Sequence, residues 1–223
     1  MRLRFIIFVI FLSFLNAGFT NNVINSDSTR TLFPQSYGEK KWKVLFGLDA
    51  RRSFYKKQKI KINGLRLGAE FRGVHRFGLG FYALSKQISI KNVTIDQVDA
   101  QSPTNLIVDV NFTTLFYERV FYKSKKWEVS FPLYLGSGQL KTQYLNNLGN
   151  YKLLDKTPVS ALGISVGGKY YVLPWLAPRV ALGYRLTYNT NNEISKAFNK
   201  PFYAFGVSVG IGELYKSVFK KES

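Results

Sequence analysis

From Trp42 onward, large apolar residues alternate with polar or very small ones. This is the period of a β-strand, whose successive side chains point to opposite faces. Trp42, Val44, Phe46 and Leu48 alternate with Lys43, Leu45, Gly47, Asp49 and Arg51. Leu65, Leu67, Ala69 and Phe71 oppose Arg66, Gly68, Glu70 and Arg72, and Leu79, Phe81 and Ala83 oppose Gly78, Gly80 and Tyr82. In a fourth run Leu106, Val108, Val110 and Phe112 face away from Asp109, Asn111 and Thr113. Trp127, Val129, Phe131, Leu133 and Leu135 then alternate with Glu128, Ser130, Tyr134 and Gly136. Leu162, Ile164 and Val166 oppose Gly163, Ser165, Gly167 and Lys169. Val180, Leu182, Tyr184, Leu186 and Tyr188 oppose Arg179, Ala181, Gly183, Arg185 and Thr187. The stretch YAFGVSVGIG, from Tyr203 to Gly212, is large on one face and nearly bare on the other. About eight strands are predicted, and no helical period of useful length follows the first twenty residues.

The connections alternate in length. VHRF, YKSKK and LPWLAP are tight, whereas Phe54 to Asn63, Lys91 to Asn105, Lys141 to Thr157 and Asn189 to Lys200 are long and polar. Short turns at one end and long loops at the other describe an all-β, antiparallel up-and-down barrel. A soluble barrel is apolar within, and a transmembrane one carries its apolar belt outside. Gly, Ala and Ser on the second face decide for the transmembrane arrangement, because an eight-stranded barrel is so narrow that its interior is just filled by side chains. Pro132 removes a ladder donor and predicts a bulge.

Aromatic placement agrees with this reading. Trp42, Phe121, Tyr122, Trp127, Trp175 and Tyr215 fall at the short-turn level, and Tyr188, Phe202 and Tyr203 at the opposite rim. Aromatic girdles at both interfaces are expected of membrane barrels.

The chain begins MRLRFIIFVIFLSFLNAGFT: two arginines, an apolar run and then small residues. That order predicts a secretory signal peptide over residues 1–20 and export of the remainder. A flexible lead-in is expected over 21–40, the barrel over 41–218 and a short basic tail over 219–223. The net charge of +19 implies an anionic neighbour. Phosphate-bearing lipid or acidic glycan suits an exported chain, and no recognition motif accompanies the charge to suggest nucleic acid.

The signal, the loop alternation and the inverted strand faces together resemble the small Gram-negative outer-membrane β-barrels, of the OmpX-like and OmpA-type transmembrane kind, from Trp42 to about Tyr215. The resemblance implies outer-membrane location, periplasmic short turns and extracellular loops. Such proteins often end on an aromatic residue, whereas here Phe219 is followed by Lys220, Lys221, Glu222 and Ser223.

The candidate chemistry is electrostatic. Lys43, Asp49, Arg51, Arg66, Glu70, Arg72, Asp109, Glu128, Lys169, Arg179 and Arg185 are predicted to point inward. Buried charges must be paired or hydrated, so they are expected to form an ion-paired plug. Asp49 is expected near Arg66, and Glu128 near Lys169. Lys56, Lys57, Lys59 and Lys61 in the first long loop are candidates for lipopolysaccharide phosphate. His75, the single histidine, falls in the VHRF turn and is read as solvated, with no acid in reach for catalysis. With one His and no Cys, neither a metal site nor a cofactor is suggested. The expected role is structural or in binding: envelope integrity, surface contact, or a subunit of an envelope complex. Porin-like transport of small solutes through a narrow lumen is the alternative, and a lipid-modifying enzyme is least favoured.

Overall fold

The computed structural model describes residues 31–32, 42–55, 58–93, 104–145, 151–188, 195 and 198–219. The expected signal peptide, most of the expected lead-in, Lys56, Lys57 and the last residues of the basic tail lie outside these. Ten strands are described: β1 (Thr31–Leu32), β2 (Trp42–Tyr55), β3 (Gln58–Phe71), β4 (His75–Leu84), β5 (Ile88–Val93), β6 (Thr104–Lys123), β7 (Trp127–Leu145), β8 (Tyr151–Tyr170), β9 (Leu176–Tyr188) and β10 (Lys200–Gly210). A helix, α1, follows over Ile211–Phe219.

Eight strands close a ring in the order β2-β3-β4-β6-β7-β8-β9-β10 and back to β2, every neighbour antiparallel. Closure leaves no open edge, which a sheet surrounded by hydrocarbon cannot tolerate. β5 prolongs the line of β4 along the same partner: β4 pairs with β6 from Arg119 to Asn111, and β5 from Val108 to Thr104. β1 adds a two-residue pairing to β6 at Tyr122 and Lys123.

The outside is apolar over the middle of the barrel. Leu48, Leu67, Leu79, Leu115, Val166, Leu182 and Phe205 are all exposed there, Leu182 by 70%. The inside is filled by rings lying over bare backbone. A Cβ at Gly64 would run into the Tyr82 ring, and one at Gly68 would come within 2.8 Å of Phe116. That is the physical use of the small-residue face.

Toward the far end the strands continue and the pattern inverts. In β3, Ile60 and Ile62 point inward and are buried, while Leu65 and Leu67 point outward. Val108, Val110 and Phe112 of β6 are likewise inside and Leu115 outside. Leu140 of β7 and Val159 of β8 are buried, whereas Leu135 and Ile164 nearer the middle are exposed. The β2–β3 register runs unbroken from Trp42↔Phe71 to Tyr55↔Gln58, so no bulge causes the change. The medium outside the barrel changes instead. Beyond this level Lys59, Lys61, Asn63, Asn111 and Gln139 occupy the exposed face, as befits water, and the apolar residues retreat inward.

This inversion corrects the sequence reading of β6. Leu106, Val108, Val110 and Phe112 are interior, and Asp109 sits on the outer face with its carboxylate accepting from the Val110 amide at 2.8 Å. It also explains why segments read as loops are strand: Phe54 to Asn63 belongs almost wholly to β2 and β3, and Lys141 to Thr157 is occupied largely by β7 and β8. Two further corrections follow. Pro132 is fully buried and does not itself bulge, because Ser130↔Gly167 and Leu133↔Ile164 keep one register across it; the nearby irregularity falls on β6, between Val120 and Tyr122, opposite Ser130 and Val129. The stretch read as strand to Gly212 ends at Gly210, where the amphipathic α1 begins. Ile211, Tyr215, Val218 and Phe219 form its exposed apolar stripe, continuing the outward residues Val207 and Val209 of β10.

Candidate functional site

Inward-pointing residues of six ring strands build a charged network in the half of the lumen nearest the short turns. Arg76, at the start of β4, is its hub and is 2% exposed. Its guanidinium reaches Glu70 at 2.6 Å, Glu118 at 2.9 Å and Glu128 at 2.6 Å. Glu118 and Glu128 are completely buried. Glu118 also receives Arg66 at 2.9 Å, the Ser130 hydroxyl at 3.0 Å, Lys169 at 3.2 Å and Arg179 at 3.4 Å. Lys169 lies 3.5 Å from Glu128, which further accepts from the Tyr171 hydroxyl at 3.0 Å. Glu118 and Glu128 thus each have several charge-assisted donors, the condition for burying ions at tolerable cost.

A second group sits higher. Arg51 donates to Asp49 at 3.2 Å and to the Tyr82 hydroxyl at 2.5 Å, and Tyr82 donates to Asp49 at 3.1 Å. The Arg51 guanidinium is sandwiched by rings, 4.0 Å from the Tyr82 centroid and 4.1 Å from that of Tyr134. Above this, Phe198 from the β9–β10 connection is buried among Ile60, Ile62, Val108 and Val110. Asn199 anchors that connection by accepting from the Thr187 amide at 2.5 Å and its hydroxyl at 2.7 Å. The far half of the lumen is therefore filled mainly by an apolar core. Two cavities within the barrel wall and lumen are each about 20 Å³, room for little more than one water.

The residues expected inside divide accordingly. Asp49, Arg51, Arg66, Glu70, Glu128, Lys169, Arg179 and Arg185 are buried within the lumen. Lys43 is at the short-turn mouth and pairs with Glu213 of α1 at 2.6 Å. Arg72 is outside the network: it occupies the β3–β4 turn with φ 54°, beside Gly73 at φ 70°, and its guanidinium lies 5.1 Å from the Phe71 ring. The Asp49–Arg66 pair does not form, because Tyr82 and Arg51 hold Asp49 while Arg66 turns to Glu118. Arg76 and Glu118 are additions that the sequence reading lacks. Extending the Gly78–Gly80–Tyr82 phase by one step finds Arg76, and carrying the inward phase of Thr114 and Phe116 forward finds Glu118.

Among the expected girdle residues, Trp42 packs on Phe71 and Phe77 with centroids 4.8 and 5.5 Å away, and Trp127 on Tyr170 at 4.9 Å. Phe121, Tyr122 and Trp175 are half-buried at the same end. Tyr188 is exposed near the opposite rim, where Tyr203 meets Phe54 at 6.2 Å. Phe202 is not in the belt. It points inward, buried against the bare site of Gly183, where a Cβ would lie 2.8 Å from its ring. Tyr215 is on α1, its ring tilted against that of Phe219 at 5.1 Å. Lys59 and Lys61 are exposed on β3 and not in a loop. His75 is half-buried and shares a 2.8 Å hydrogen bond with the Tyr117 hydroxyl, so it is partnered where a solvated residue was expected.

A closed eight-stranded ring with an apolar belt, aromatic rims and an ion-paired interior has the fold of an outer-membrane β-barrel. One solved structure agrees at this level. A major outer membrane protein from Thermus thermophilus superposes with a TM-score of 0.50 at 13% identity, over 75% of this chain and 98% of that one. The N-terminal β-barrel domain of Pseudomonas aeruginosa OprF gives 0.47 at 12% identity, covering 76% and 99%. Ail, the attachment invasion locus protein of Yersinia pestis, gives 0.42 at 13% identity, covering 78% and 98%. No family model matches the chain, and a search of curated proteins finds no match.

Proposed function

We propose that this chain is a closed, non-enzymatic barrel of the outer membrane that serves the envelope through its surface: in integrity, in contact at the cell exterior, or as a small subunit of an envelope complex. The observation that carries this reading is the double stopper in its lumen. The Arg76–Glu118–Glu128 network fills one half and the apolar cluster with Phe198 fills the other, which disfavours a solute path. Narrow barrels of this strand number are filled by side chains, and aqueous channels belong to larger ones. Planar-bilayer recording tests it. Reconstituted protein should leave the bilayer at baseline conductance, and reproducible steps would overturn the closed reading in favour of transport.

The binding partner favoured by charge is lipopolysaccharide. Arg52, Lys59, Lys61, Lys152 and Lys156 are exposed on the far half, where they would meet phosphates of the outer leaflet, and lysine suits phosphate as a point charge. Replacing Lys56, Lys57, Lys59 and Lys61 together by Gln should reduce lipopolysaccharide carried through purification. An unchanged amount would remove this partner.

A further inference from the structure

Among the described residues, the buried charges do not balance. Arg51, Arg66, Arg76, Lys169, Arg179 and Arg185 lie within the lumen against Asp49, Glu70, Glu118 and Glu128. The lower cations share the three glutamates, and Arg51 has Asp49. Arg185 of β9, 5% exposed, has no carboxylate partner among the described residues. Its Nε donates to the Phe198 carbonyl at 3.1 Å, its guanidinium lies 5.3 Å from the Phe198 ring, and its buried Nη2 has no hydrogen-bond partner among them. A guanidinium does not neutralise itself by losing its proton, so this charge needs compensation from elsewhere.

Arg185 lines a cavity of about 20 Å³ midway along the lumen, and Arg51 lines the same space, together with Thr114, Tyr134 and Gly163. The space holds one small sphere and is bordered by two guanidinium groups. Asp49 is engaged by Arg51 and Tyr82, so it does not serve Arg185. We propose that this cavity binds one small monovalent anion of the halide class as the internal counter-ion of Arg185. A water molecule would satisfy the donor but leave the charge, whereas a halide does both.

The test compares sodium chloride with sodium gluconate at constant ionic strength, following urea unfolding of the protein in lipid vesicles. A ligand bound only by the folded state shifts the folding equilibrium by the factor of one plus its concentration over Kd. Raising chloride to ten times its Kd should therefore shift the constant about tenfold, and Arg185→Met should abolish the chloride dependence. Equal chloride dependence in the variant, or none in the wild type, overturns the proposal. Should Arg185→Met fail to fold, crystals of the wild-type protein grown in bromide provide an independent readout. An anomalous peak within hydrogen-bonding distance of Arg185 Nη2 supports the site, and water without anomalous signal there overturns it.

Discussion

Arg76 touches all three glutamates of the lower lumen, so its removal strands charges in a medium that cannot hydrate them. Arg76→Met should cost about 3–5 kcal/mol, the range for breaking a buried ion pair from one side. Ser130→Ala deletes a single hydrogen bond to Glu118 and should cost about 1 kcal/mol. Urea unfolding in vesicles measures both, and equal losses would show that the ions are not what hold this region. Neither Arg76 nor Glu118 stands out in the sequence, although both obey the same alternation as their neighbours. The reason is local: Arg76 follows a turn and Glu118 sits in the run LFYERVFYK, where charge beside large apolar residues masks which face is bare. The aromatic fillers are equally hard to read. Phe116 and Phe202 are interior because a glycine makes room for each ring, Gly68 of β3 across the lumen side of β4 for Phe116 and Gly183 of the adjacent β9 for Phe202, and that matching exists only once the register is set.

Elements carry the information that single residues do not. Most strands have the facing that alternation predicts, because hydrocarbon outside demands large apolar groups over the spanning segment. β6 departs from it because its most regular apolar run, Leu106 to Phe112, lies beyond the hydrocarbon, where the rule reverses. The two regimes differ in tolerance. Leu182→Arg on the belt should cost about 2–4 kcal/mol if near the bilayer midplane, whereas Asn111→Arg on the exposed face of β6 should fall within about 0.5 kcal/mol of neutral. Similar costs at both positions would contradict the placement of the boundary. At the other end, the Glu213–Lys43 contact fixes α1 to β2. Burial works to raise the Glu213 pKa, but the hydrogen bond and charge of Lys43 outweigh it and leave the carboxyl below its usual value. A depressed carboxylate pKa stabilises above the unfolded value, near 4.3, and that contribution is lost as the pH falls through the folded one. Amide exchange in α1 should therefore accelerate relative to β10 as pH drops below about 4, after correction for intrinsic rates. Lys43→Gln should remove that excess.

For the whole molecule, strand number, antiparallel order and closure were legible because they follow from turn spacing and alternation, which depend on the chain alone. The height of the barrel was not, since polar outward residues above the hydrocarbon look like loop until their inward neighbours are seen to pack on one another. Lys59, Lys61, Asn111 and Gln139 must traverse acyl chains before reaching the far side, while Ile60, Val110 and Leu140 do so without their final neighbours. A hairpin in transit exposes one of its faces to the wrong surroundings whichever way it turns. These overhanging segments should therefore slow the entry of the barrel into a bilayer, and its folding rate into vesicles should rise as the bilayer is made thinner.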